Sequence, residues 1–167
     1  MVRISALISL ILSGAIFGFF FAWVCSTLWG LDQIDPRVAI EAMNAMNASV
    51  HNAVFFPVFF LTPVATFFTA VFCWVHRLRR SAAWFAAAAV IYVGFAFLPT
   101  ALVNVPMNEL LAAGGVPATV EEARDIWQDY SREWQWWNVF RTIASGISLF
   151  LVGLGLMGLK AERGAEG

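Results

Sequence analysis
Four long apolar runs dominate this sequence, at about residues 4–31, 53–75, 82–103 and 139–159. A helix needs about 20 mostly apolar residues to cross the ~30 Å hydrocarbon core of a bilayer. Lipid offers no partner to a backbone N–H or C=O, so each run must satisfy its own hydrogen bonds and is predicted to be a helix. Composition leads to the same place. The chain is 60% hydrophobic and 13% charged, whereas soluble domains carry about 25% charged residues. Too few charges exist to cover a water-facing body of this size. The reading is an all-α integral membrane four-helix bundle with extracytoplasmic helical segments, formed by residues 1–167 as one domain.

Arg3 before an apolar run also fits a signal peptide, but the run is too long and Phe21-Ala-Trp-Val-Cys25 is a poor cleavage sequence, so an uncleaved anchor is expected. Basic residues in short loops set orientation. Arg77, Arg79 and Arg80 separate the second and third runs, Arg3 precedes the first, and Lys160 and Arg163 follow the fourth. Alternating spans place all of them on one side. The opposite segments, 32–52 and 104–138, hold three basic residues (Arg37, Arg124, Arg132) against nine acidic ones. Both termini are therefore expected in the cytoplasm of a bacterial-type inner (plasma) membrane, with membrane lipids as the surroundings. A net charge of −1 gives no sign of nucleic-acid binding. Cys25 and Cys73 are far apart, in no C-x-x-C, which speaks against a disulfide framework or thiol redox chemistry.

The two outer segments carry more information. Asp35-Pro36 reads as an N-cap followed by proline at the first helical position, opening a helix to about Asn52. On it Asn44, Asn47 and His51 form one stripe beside Met43, Met46 and Val50. Pro57 and Pro63 should kink the second span or separate it from this helix. The second outer segment opens at Asn104-Val-Pro-Met-Asn108-Glu109 and turns at Ala113-Gly-Gly-Val-Pro117. Thr119-Val-Glu-Glu122 is a capping box, from which one helix is expected to run into span four. Its inward stripe is Ala123, Trp127, Tyr130, Trp134, Trp137 and Arg141, with Asn138 one turn beyond Trp134.

Each candidate also has a plain structural reading. Trp134, Trp136 and Trp137 could belong to the interfacial aromatic belt, which accounts for Trp136 and equally for Trp23, Trp29, Trp74 and Trp84. Trp134 and Trp137 suit belt and pocket wall alike. Arg141 could snorkel to headgroups, but an ionisable residue at the start of a span more often faces the bundle. Asn47, Asn104, Asn108 and Asn138 could be interhelical glue. Their position on separate helix ends facing one side favours a shared polar pocket. Thr100 could bond only its own helix. His51 is a rim residue that could act as a base near neutral pH. A lone histidine makes a poor metal site, and neither metal nor cofactor is expected, although haem on one axial histidine, or a metal, stays open. Gly14-x-x-x-Gly18, with Gly146, Gly153 and Gly155, is expected to permit close helix packing within the bundle or in a homo-oligomer.

Three elements together carry a family resemblance: Ala45-Met46-Asn47 leading to the Phe55-Phe-Pro-Val-Phe-Phe60 run; Thr100-x-x-x-Asn104-Val-Pro-Met-Asn108-Glu109; and Trp127-x-x-Tyr130-x-x-x-Trp134-x-x-x-Asn138-x-x-Arg141-Thr142. Nearly the whole chain resembles the anthrone oxygenase-like family, also called domain of unknown function 1772. The resemblance implies a small four-span membrane protein. It also implies, as in some fungal members, oxidation of an anthrone to an anthraquinone. Asn47, Asn104, Asn108, Trp134, Asn138 and Arg141 are the positions it carries over.

Two functions follow as expectations. The first is an oxygenase or oxidoreductase acting on a hydrophobic aromatic, anthrone- or quinol-like small molecule. Arg141 with Asn104 and Asn138 would stabilise the enolate oxygen, His51 or Glu109 would take the proton, and Trp134 and Trp137 would stack on the ring. The second is a non-catalytic lipid- or quinone-binding module, or a small subunit of a membrane complex.

Overall fold
The computed structural model describes residues 1–164, with side chains as far as Leu159. The basic tail expected at Lys160 and Arg163 lies outside the described side chains. Every element is helical: α1 Val2–Leu31, α2 Pro36–Ser49, α3 Phe55–Val75, α4 Arg79–Gly114 and α5 Val120–Gly164. Four of them, α1, α3, α4 and α5, are long and apolar enough to cross a membrane.

The helix ends follow local chemistry. The Asp35 carboxylate accepts from the Arg37 backbone N–H at 2.9 Å, with Pro36 at the first position of α2. The Arg37 side chain bonds the same carboxyl and holds it near a pKa of about 2. The Asn52 side-chain oxygen accepts from the N–H groups of Val54 (2.8 Å) and Phe55 (2.9 Å), opening α3. α2 therefore stops at Ser49, three residues short of the expected Asn52. At α5, Thr119 Oγ1 accepts from Glu122 N–H at 3.3 Å, as the capping box predicts.

The third span runs further than its sequence suggests, ten residues past the expected start of an outer segment at Asn104, to Gly114. Proline inside a helix removes a donor and clashes with the preceding turn. α4 absorbs Pro99 and Pro106 by widening into two π turns, Val93–Phe97 and Thr100–Asn104. Such turns accommodate an insertion without ending the helix. A third π turn, Trp23–Thr27, lies in the C-terminal part of α1.

The long helices pack in the ring order α1–α3–α4–α5, and α2 lies against α5 and the C-terminal part of α4. Buried apolar residues form three layers. Ala6, Cys73, Phe85 and Val152 fill the end bearing the Arg77–Arg80 turn. Ile16, Phe20, Phe59 and Tyr92 occupy the middle, and Ile40, Met43, Trp127 and Trp134 the other end. Outside this core, Ile4, Ile11, Phe67, Phe68, Val90, Leu102, Ile143 and Phe150 are exposed, as surfaces against acyl chains must be.

Lipid is as apolar as leucine, so hydrogen bonds and close packing hold such helices together. Ser9 and Thr69 share a hydroxyl bond of 3.0 Å between α1 and α3. Tyr92 O–H donates to the Phe59 carbonyl at 3.0 Å, and Ser148 O–H to that of Ala88 at 2.9 Å. The glycines divide sharply. A Cβ on Gly155 would meet the buried Phe85 ring at 2.8 Å, and one on Gly146 the Phe17 ring at 3.1 Å. Gly14, Gly18 and Gly153 have nothing within 4 Å. Close packing thus comes from span four, and the G-x-x-x-G pair of span one contributes none within the chain.

Candidate functional site
At the end away from the Arg77–Arg80 turn, the ring of helices encloses a cavity of about 610 Å³. Its walls are chiefly apolar: Phe19, Phe20 and Trp23 of α1, Phe55–Phe60 of α3 and Phe97 of α4. Phe55, Phe59 and Phe97 stack in series, with centroids 5.4 and 5.0 Å apart.

The polar groups gather on one side. α5 places Trp134, Asn138 and Arg141 at four- and three-residue steps, so all three face the cavity. Arg141 is 3% exposed. It donates from Nη1 to Thr100 Oγ1 and from Nη2 to Asn138 Oδ1, each at 3.1 Å. The Thr100 O–H donates to the Ala96 carbonyl at 2.8 Å while its oxygen accepts from Arg141, so it serves both its helix and the arginine. Asn138 in turn donates to the Phe20 carbonyl at 3.1 Å, tying α5 to α1. The guanidinium lies over the rings of Phe20 (4.7 Å) and Trp134 (5.2 Å). Among the described residues no carboxylate is within ion-pair distance of it.

Three polar atoms in this wall are buried and unpartnered: Arg141 Nε and both amide atoms of Asn104. A buried polar group without a partner costs about 1–3 kcal/mol, more when charged. Arg141 and Asn104 both line the cavity, so its wall holds an arginine N–H and a side-chain amide with no partner among the described residues. Higher in the cavity, Asn108 Oδ1 accepts from Tyr130 O–H at 2.8 Å and from Trp134 Nε1–H at 3.0 Å. Asn47, whose Nδ2 is also buried and unpartnered, adjoins the same tyrosine hydroxyl.

Seven of the nine residues singled out from sequence line this cavity: Asn47, His51, Asn104, Asn108, Trp134, Asn138 and Arg141. His51 sits exposed at the rim, its ring 5.5 Å from Phe56. Two do not line it. Glu109 follows Asn108 by one residue, which turns it about 100° round the helix onto the exposed face. Trp137 lies one turn from Trp134 but on the flank of α5, edge-on to Trp136 and Phe140. Trp23, which sequence assigns to the aromatic belt, lines the cavity instead, 5.1 Å from Trp134.

Asp32 is a further structural hub with no sequence signature. Its Oδ1 accepts from Trp127 Nε1–H (2.9 Å) and Ser131 O–H (2.7 Å), and its Oδ2 from Gln135 Nε2–H (2.8 Å). These bonds pin the N-terminal half of α5 to the end of α1. Among the described residues no group of three or more His, Cys, Asp or Glu side chains is placed to hold a metal ion.

No curated protein and no solved structure matches the chain. The sequence profile of the anthrone oxygenase family matches residues 46–151, from the end of α2 through the first half of span four, and includes every polar residue of the cavity. The chain belongs to the anthrone oxygenase family.

Proposed function
We propose that the chain is a membrane oxygenase that takes a hydrophobic, anthrone- or quinol-like aromatic into the cavity and oxidises it with O₂. The observation that carries this reading is that the buried Arg141, without a carboxylate partner among the described residues and with its Nε–H unused, lines the same cavity as Asn104, whose amide is unpartnered. An anthrone that loses its ring C–H proton becomes an enolate, with charge shared between oxygen and carbon. Donors aimed at that oxygen stabilise the charge as it develops, which is worth about 10²–10³ in rate per donor. The electron-rich carbon then reacts with O₂, and loss of water leaves a second carbonyl. The balance is anthrone plus O₂ giving anthraquinone plus water. Phe19, Phe55, Phe59, Trp23 and Trp134 supply the slot for the rings. His51 and Arg141 are the two ionisable residues lining the cavity, so His51 takes the proton at the rim. Glu109, facing away, takes no part.

Both termini lie in the cytoplasm in this reading, and the cavity opens toward the outer side of the inner membrane. Arg3, Arg77, Arg79 and Arg80 at the opposite end support that orientation. The test is O₂ uptake and anthraquinone formation from an anthrone by the purified protein in mild detergent. Arg141→Ala should cut turnover by about 10²–10³-fold while the protein stays folded, and His51→Gln by about 10²-fold. Normal turnover by Arg141→Ala would refute the reading. Absence of turnover in the wild type, with a lipid or quinone copurifying in the cavity, would favour the binding-module alternative.

A further inference from the structure
The cavity has a flank inside the membrane as well as a mouth at its outer surface. Close backbone contact between α3 and α4 is concentrated in the residues before Val93. Beyond that point α4 carries its two π turns and Pro99, and the helices diverge. Cavity-lining residues along this seam are also exposed: Phe56 and Phe60 on α3, at 41% and 50%, and Ala101 on α4. All three lie within helices long and apolar enough to span the membrane. What closes the gap is aromatic contact. Phe97 reaches from α4 to Phe59 (5.0 Å) and edge-on to Phe60 (5.6 Å). Nothing polar ties these rings, so rotation of two side chains is enough to part them.

We propose that this seam is a lateral portal, through which an apolar polycyclic ligand dissolved in the outer half of the bilayer passes directly into the cavity, with Phe60 and Phe97 as its doors and Ala101 as its sill. The proposal rests on the reading of the cavity as a site for a hydrophobic aromatic. Such a molecule concentrates in lipid. The seam therefore meets it where it is abundant, and the mouth near Asn52 and His51 is left to water and the proton. Small Ala101 keeps the sill open, and Phe97 sits in the π turn Val93–Phe97 beside it.

A portal residue leaves a kinetic signature that a wall residue does not: it changes association and dissociation by the same factor and leaves the equilibrium constant unmoved. The experiment uses the full chain in lipid nanodiscs, with anthracene added from vesicles and its fluorescence sensitised by the cavity tryptophans in stopped flow. Ala101→Phe should slow both association and release by roughly tenfold with affinity near wild type, and Phe97→Ala, which also removes a ring from the cavity wall, should speed both and release the more. The wild-type rate should track the mole fraction of anthracene in the membrane. Unchanged rates in both variants, or a rate set by aqueous anthracene, would overturn the portal and leave the proposed oxidation standing. Failure of anthracene to bind the wild type at all would overturn both.

Discussion
Asn108 gives the sharpest energetic test of the site. Its single amide oxygen accepts from two buried donors, Tyr130 O–H at 2.8 Å and Trp134 Nε1–H at 3.0 Å. Tyr130 is 8% exposed and Trp134 4%. Asn108→Leu keeps the branched shape and number of side-chain heavy atoms and strands both donors. Each stranded donor costs about 1–3 kcal/mol, so the variant should lose roughly 2–6 kcal/mol. At ~2–4 °C per kcal/mol for a chain of this length, its unfolding midpoint in mild detergent should fall by at least about 4 °C. Tyr130→Phe alone removes one ordinary hydrogen bond and should cost about 0.5–1.5 kcal/mol. Introduced into Asn108→Leu, the same change removes a stranded hydroxyl and should restore about 1–3 kcal/mol. The sign of one substitution thus reverses with the state of its partner, which is what a double-mutant cycle measures. If Tyr130→Phe destabilises both backgrounds equally, the hydroxyl is satisfied elsewhere, Asn47 being adjacent, and Asn108 is not the hub.

Two further outcomes are expected. Gly155→Ala places a methyl 2.8 Å from the buried Phe85 ring and should destabilise by about 1–3 kcal/mol as an overpacked core does. Gly18→Ala meets nothing within 4 Å and should leave the monomer's melting point unchanged or raised, read by thermal unfolding of both variants side by side. Glu109→Gln and Trp137→Leu lie outside the cavity and should retain turnover within about twofold of wild type, since the donors responsible for the larger effects remain in place; a loss comparable to that of Arg141→Ala would place one of them in the site.

The spans were legible because lipid imposes one rule, length of apolar run, that the residues obey openly. The caps at Asp35 and Thr119 were legible because a short polar side chain just before a helix has one main use. Phase on α5 was legible in part. Trp134, Asn138 and Arg141 follow one line, but Trp137 is displaced far enough round the helix to leave the cavity for the flank. The apolar run predicts that the third span ends at about residue 103, where it gives way to Asn104, whereas the helix continues through a π turn to Gly114. Asp32 was invisible: a lone acid after a span reads as solvated, and its partners Trp127, Ser131 and Gln135 lie about a hundred residues away. The Gly14–Gly18 pair matched a packing pattern, whereas the close approach is to Gly155, where the deciding neighbour is the Phe85 ring of another helix.

The central claim is that Arg141 and Asn104 form a site for an anionic oxygen. A monohydroxyanthraquinone reports on it directly, because its colour changes when the phenol ionises. Titrated while bound to the protein, the dye should ionise about 1–2 pH units below its value in empty detergent micelles, the equivalent of one hydrogen bond to a charged group at ~1.4 kcal/mol per unit. Arg141→Met should abolish that displacement while still binding the dye. Ionisation at the same pH bound and free, or a displacement that survives Arg141→Met, would contradict the account.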